Sequence, residues 1–191
     1  FPTRRSSDLY GGGTAGLMGE LARTLVSLSG PTAVEGIIPL PLMSHEQRAA
    51  ETVAVMHEGR SLAVPNPAIY GTTTVVVDMH CRKREMARRV VEGGSGSGFV
   101  ALPGGYGTLE ELMEVVTWNQ VGIHERPVVV FNVEGYWDGV LAWIRDAVGT
   151  GFVREGQRDI LVQAKSAEEV GRRLREYKVS DGRLDLKWGE Q

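Results

Sequence analysis

The sequence predicts an α/β fold built on an open, mainly parallel sheet with helices on both faces. Two observations carry that expectation. Short β-branched runs alternate with amphipathic segments along the chain, the pattern of strand and helix layering. Twice, a strand runs into a glycine cluster and then into a helix, once at Tyr10–Gly19 and again at Leu102–Glu111.

The length of 191 residues suits one domain, and 42% hydrophobic with 24% charged side chains is the balance of a globular chain, not a disordered one. A formal net charge of −3 argues against a nucleic-acid partner or an anionic membrane surface, both of which call for concentrated basic charge. Cys81 is the single cysteine, so an intrachain disulfide is impossible and a reducing, cytoplasmic setting suits the chain. No apolar run approaches the roughly 18 residues that span a bilayer. Residues 1–8, F-P-T-R-R-S-S-D, have neither a helical nor a strand period and read as a non-native leader. Residues 9–178 read as a single domain and residues 179–191 as a C-terminal tail.

The elements follow in order. Leu9-Tyr10 is a strand stub, and Gly16–Ser29 is a helix with Leu17, Leu21, Leu25 and Leu28 at helical spacing. Ala33–Ile38 is a strand stopped by Pro39 and Pro41, and Met43–Gly59 reads as irregular or helical. Thr72–Val77 is the clearest strand, and its unbroken β-branched run predicts burial on both faces. A charged helix covers Cys81–Glu92, and the G-G-S-G-S-G that follows is a flexible loop by composition. A short buried strand, Phe99–Leu102, leads to a helix over Thr108–Val121 with Leu109, Leu112, Met113 and Val116 on one face. Val128–Phe131 is a strand, Tyr136–Val148 a helix, Ile160–Val162 a strand and Ala167–Tyr177 the closing helix.

The sharpest chemical signal is P-G-G-Y-G-T-L-E-E, Pro103–Glu111. Gly104, Gly105 and Gly107 are expected to turn the chain at positive φ and to bring bare backbone to a ligand. The helix that follows presents unpaired N–H groups and a partial positive charge, an anion site whose usual guest is phosphate. Thr108 is placed to cap that helix and to donate to a phosphate oxygen. The plainer reading is a tight strand-to-helix turn with a threonine cap. Three glycines within four positions, behind a strand and ahead of two carboxylates, weigh against it. Glu110 and Glu111 are expected in the first helical turn, where acidic residues complement the helix dipole by ~0.3–1 kcal/mol or where one of them faces the ligand.

The second signal is D-M-H-C-R-K-R-E-M, Asp78–Met86, leaving the C-terminal end of a strand, the edge where open α/β sheets bind ligands. Arg82, Lys83 and Arg84 supply fixed positive charge there, although a charge run also serves as a solvated helix face. His80 alone reads as structural. The third signal is Y-G-G-G-T-A-G-L-M-G, Tyr10–Gly19, where Gly12 and Gly13 open a second glycine turn. Several chemistries are set aside: C-x-x-C, H-E-x-x-H, G-x-S-x-G and the G-K-[ST] of a P-loop do not occur. His45, His57, His80 and His124 lack metal-ligand spacing, so neither metal nor cofactor is expected.

Together, P-G-G-Y-G-T-L-E-E, M-H-C-R-K and Y-G-G-G-T-A-G-L-M-G resemble the LOG ("lonely guy") family of cytokinin riboside 5′-monophosphate phosphoribohydrolases, over about Leu9–Tyr177. The resemblance implies a Rossmann-like fold, a homodimer, and release of an adenine-type base and ribose 5-phosphate from a nucleoside 5′-monophosphate such as AMP or its N6-substituted forms. It implies Arg82 and Glu111 as the catalytic pair, and it is the ground for choosing Glu111 over Glu110. Lys83, Gly105, Tyr106, Gly107, Thr108, Leu109, Glu110 and Thr117 fall on the family's substrate-contact positions. Glu46, in L-M-S-H-E, resembles the family's base-contacting glutamate. Members were long labelled lysine decarboxylases, but the four lysines here, Lys83, Lys165, Lys178 and Lys187, lie in no convincing pyridoxal-phosphate context. Two departures stand out. The strand, C-G-S-S-type loop and helix that precede Y-G-G-G in the family are expected to be missing. The Gly93–Gly98 insertion is expected to loop out. The competing readings are a non-catalytic nucleotide carrier on the same fold and a general AMP hydrolase.

Overall fold

The computed structural model describes residues 8–46, 51–57, 59–184, 186 and 188. They fall into two compact units, one reaching to Met86 and the other starting at Ala87. Each has parallel strands flanked by helices, as the alternation predicts.

In the first unit, β1 (Asp8–Tyr10), β2 (Val34–Pro39) and β5 (Thr72–Val76) form a parallel sheet in the order β1-β2-β5. Asp8 pairs with Val34, so the strand starts one residue earlier than expected, while residues 1–7 of the expected leader lie outside the described residues. β2 is central and closely buried, with Val34, Ile37 and Ile38 fully shielded. β5 is only half-buried, against the expectation from its valines and threonines, because it pairs through one edge alone in this sheet.

Helix α1 (Gly16–Ser29) has the expected bounds, but its buried stripe is Ala22 and Val26, flanked by Leu21 and Leu25. Leu17 and Leu28 are exposed, so the spacing was right for a helix and wrong for its inner face. The stretch read as irregular or helical after Met43 is mostly neither. A short helix α2 (Met43–Glu46) is followed by strand β3 (Thr52–His57), paired antiparallel with β4 (Arg60–Pro65). Gly59, at φ +78°, supplies the turn conformation that glycine adopts without strain. Val53, Val64 and Leu62 pack with Ile38 and Met43.

Helix α3 (Pro67–Tyr70) ends in a polar knot. Tyr10 donates to the Tyr70 carbonyl at 3.1 Å, Arg23 donates to the Tyr70 hydroxyl at 2.7 Å, and that hydroxyl donates to Glu51. Burial, with the Tyr70 hydroxyl beside it, pushes the Tyr10 phenol up to about 12.

Helix α4 (Met79–Val91) carries the boundary between the units. In the second unit, β6 (Phe99–Ala101), β7 (Val128–Phe131) and β8 (Leu161–Ala164) form a parallel sheet with β7 in the centre. Val128 and Val130 share a face with Leu112 of α5 (Tyr106–Gln120) and Ile144 of α6 (Asp138–Gly149). Helix α7 (Ala167–Glu176), capped by Ser166, packs against β7 and β8. β6 is half-buried, not the buried strand expected, since it too is an edge of its sheet.

The Gly93–Gly98 loop does not simply loop out. The Arg126 guanidinium donates to the carbonyls of Val91, Gly93 and Gly94, which closes the end of α4 and ties the loop down. The described part of the tail also returns to the unit: the Leu184 amide bonds the Gln120 carbonyl at 2.8 Å and the Trp188 indole donates to the Val121 carbonyl at 2.9 Å.

Candidate active site

Each unit presents one glycine turn at the C-terminal end of a parallel strand. The first follows β1. Gly12 lies at φ +78° with its backbone against Ile37 and Ile38, and Gly12, Gly13 and Thr14 are buried. A Cβ on Gly11 would collide with the Arg82 guanidinium, so glycine at that position leaves room for Arg82 against the turn.

Arg82 sits in the first turn of α4, which Asp78 caps by accepting from the Cys81 amide at 2.7 Å. That amide bond, first among the contributions, holds the exposed Asp78 carboxyl below its ordinary value. The placement of Arg82 corrects an expectation. A charge run that also serves as a solvated helix face predicts an exposed guanidinium, but Arg82 is only 8% exposed, and its Nε donates to the Ile37 carbonyl at 3.0 Å. Burial beside a backbone carbonyl fixes the plane of the guanidinium, which suits an arginine that presents a preset fork. Lys83 is half-buried on the same helix, and His80 is exposed.

The second turn follows β6 and differs from its sequence reading in three ways. Gly104, Gly105 and Gly107 all have negative φ, so positive φ is not why glycine stands there. Helix α5 starts at Tyr106 with Gly105 as its N-cap, two residues before the expected start, so Thr108 lies inside the first turn and does not cap it. Its side chain instead folds back onto Gly104, where a Cβ would collide with it. Glu110 and Glu111 consequently fall in the second turn, beyond the reach of the dipole effect that explained them structurally. Glu111 is half-buried, Glu110 exposed.

At Gly105 and Gly107 an added Cβ would meet no atom of the described residues within 4 Å. Tyr106 beside them is 95% exposed. The first bond of the helix runs from the Leu109 amide to the Gly105 carbonyl at 3.1 Å, so the amides of Tyr106, Gly107 and Thr108 precede the helical ladder. Leu109 is at the margin of exposure, and Thr117 is exposed about 16 Å down the helix from Tyr106. The structure thus groups Gly104, Gly105, Tyr106, Gly107, Thr108, Glu110 and Glu111 at one end of α5 and leaves Thr117 at the other. Glu46 closes α2, and its side chain lies outside the described residues.

One residue at the turn escaped the sequence reading. The Tyr136 hydroxyl donates to the Gly104 carbonyl at 2.5 Å across 32 residues of chain. Its only sequence signal is an aromatic pair, Tyr136-Trp137, just beyond a strand end. His124, by contrast, is structural: its Nδ1 accepts from the Arg126 amide and its Nε2 meets the Val115 carbonyl at 2.8 Å. Desolvation, the largest cause, holds its pKa below the ordinary 6.5. Among the described residues no cluster of three metal-ligating side chains exists, and no helix is long and apolar enough to cross a membrane.

The sequence model of a family described as "possible lysine decarboxylase" matches residues 18–174. The bifunctional cytokinin biosynthesis protein of Fusarium pseudograminearum is 47% identical over 180 residues, covering 94% of this chain and 35% of that protein. The cytokinin riboside 5′-monophosphate phosphoribohydrolase LOG5 of Arabidopsis thaliana is 44% identical over 181 residues, 94% of this chain and 68% of its own. Its Arabidopsis relative of the same description, LOG7, is 42% identical over 189 residues, 98% of this chain and 75% of its own. The chain therefore spans little more than a third of the Fusarium relative. With the glycine turns and the M-H-C-R-K helix in place, these matches make the chain a member of the LOG family.

Proposed function

We propose that the chain hydrolyses the N-glycosidic bond of adenosine 5′-monophosphate, preferentially in N6-substituted form, releasing the free base and ribose 5-phosphate. One observation carries the reading: an open glycine turn, whose amides precede the helical ladder, is followed on the same helix by the half-buried carboxylate of Glu111. The relatives' described activity, on cytokinin riboside 5′-monophosphates, matches that pairing of a phosphate cradle with a carboxylate.

As the bond from the anomeric carbon to the base nitrogen breaks, the sugar becomes cation-like; water then gives its hydroxyl to the anomeric carbon and, in net terms, its proton to the departing base. A fixed carboxylate stabilises that charge more than it stabilises the neutral substrate, which is the requirement for catalysis. Glu111 takes this role and orients the attacking water. Arg82 positions the phosphate or the ribose, and the amides of Gly105–Thr108 hold the 5′-phosphate. Lys83, Leu109, Glu110, Thr117 and Glu46 are assigned to substrate contacts by the motif match, and Gly12 and Gly13 by the glycine turn that they open.

Residues 9–178 act as one functional domain in this reading, in a cytoplasmic homodimer that needs neither metal nor cofactor. The apolar Ile123, 40% exposed beyond the end of α5, supports association with a second copy. The test is ribose 5-phosphate release from AMP and from N6-isopentenyl-AMP, with and without a chelator. Faster release from the N6-substituted nucleotide is expected. Equal rates would point to a general AMP hydrolase, and nucleotide binding without release to a carrier.

A further inference from the structure

We propose that Tyr136 is a positioning residue that holds the glycine turn in its phosphate-binding orientation. The inference rests on the hydrolase reading above. In a trans peptide the carbonyl and the following N–H point in opposite directions. Bonding the Gly104 carbonyl to the Tyr136 hydroxyl at 2.5 Å therefore fixes the Gly105 N–H on the side away from that tyrosine. Thr108 packs against the Cα of Gly104, so the peptide is held at its carbonyl and at its α-carbon.

Tyr136 is itself braced from the sheet. Its ring meets Trp137 edge-on, with centroids 5.2 Å apart, and Trp137 is buried. The Trp137 amide donates to Asn132 Oδ1 at 2.7 Å, and Asn132 Nδ2 donates to Asp138 at 2.7 Å. Asn132 is anchored in turn, its amide bonding the Ala164 carbonyl of β8 at 2.8 Å. Between Asn132 and Tyr136 the chain passes through Glu134 at φ +49°, a conformation that side-chain-bearing residues rarely adopt. The path from the strand end to Tyr136 is thus set by its surroundings and not by local preference. The tyrosine stays 54% exposed, so burial of its ring is a weak reason for its place beside the turn.

The test is Tyr136→Phe, which deletes the hydroxyl and keeps the ring on Trp137. Three measurements are made on wild type and variant: the Kd of ribose 5-phosphate by calorimetry, kcat and KM for N6-isopentenyl-AMP, and the melting temperature. One lost hydrogen bond to an oriented turn should weaken ribose 5-phosphate binding and raise KM roughly fivefold to tenfold. The expected kcat changes less than about threefold and melting is unchanged, because an exposed hydroxyl adds little to the fold. Unchanged ribose 5-phosphate binding in an active protein would overturn the inference. So would a lowered melting temperature or lost fold, which would make Tyr136 structural. If the wild type neither binds nor releases ribose 5-phosphate, the hydrolase reading itself fails, and this inference falls with it.

Discussion

The two glycine turns share one sequence pattern and put it to opposite uses. At Tyr10–Gly16 the glycines answer to the fold: Gly12 needs its positive φ, and Gly11 and Gly12 leave no room for a Cβ beside Arg82 and Ile38. At Gly104–Gly107 only Gly104 is crowded, while Gly105 and Gly107 have negative φ and, among the described residues, open space where a side chain would be. A glycine that neither backbone conformation nor packing demands points to something outside the chain that comes close to the backbone. The first turn builds a seat for an arginine; the second leaves amides accessible to an anion.

The largest effect expected from breaking this contrast is on the side of the open turn. Glu111→Gln keeps size and polarity but removes the charge proposed to face the cationic sugar, and kcat should fall roughly 10²–10³-fold without loss of melting temperature. Glu110→Gln, altering an exposed neighbour, should change kcat far less. The reverse order in a ribose 5-phosphate assay would move the catalytic role to Glu110. Arg82→Ala should lose activity and stability together, unlike Glu111→Gln, since it also leaves the Ile37 carbonyl without its 3.0 Å donor. Full stability in Arg82→Ala by thermal melting would contradict the closed seat.

Next in size is Gly12→Ala. Positive φ and a Cβ 2.9 Å from that of Ile38 should together destabilise the protein by about 2–4 kcal/mol, lowering Tm by roughly 5–15 °C. A melting curve that overlays the wild type would show that the first turn is no more constrained than the second.

The smallest effect is a pH dependence in the unit that carries the open turn. His124 is held neutral, its folded pKa below 6.5 chiefly through desolvation. As pH falls below 6.5 the unfolded chain takes up a proton that the folded chain refuses. The stability due to this residue is therefore complete above the unfolded value and declines as pH drops toward the folded one. His124→Gln should flatten that part of the stability–pH profile. An unchanged slope in denaturant titrations between neutral and mildly acidic pH would count against it.

Strand and helix existence was largely legible, because periodicity is local: Val128–Phe131 and Gly16–Ser29 have the bounds that their patterns predict. The β3–β4 hairpin was also written locally, in the alternation of Val53 and Val55 with Leu62 and Val64 about Gly59, but it lay next to residues with helical composition. What no local pattern carries is long-range contact. The burial of Arg82 depends on Gly11 and Ile37, and the bond of Tyr136 to Gly104 spans 32 residues. The start of α5 was misplaced because threonine is the commoner cap, whereas Gly105 already has the extended backbone that ends the turn.

The central claim, that the second turn is kept open for a phosphate and not for the fold, is tested most directly by Gly107→Ala, with melting and ribose 5-phosphate binding measured on the same sample. Alanine fits the helical backbone there and meets no atom of the described residues within 4 Å, so stability should hold or rise by about 0.4–1 kcal/mol. Ribose 5-phosphate affinity should nevertheless fall by about tenfold or more, as the added methyl keeps the anion off the amides. A variant that melts like the wild type and binds ribose 5-phosphate equally well would contradict the account.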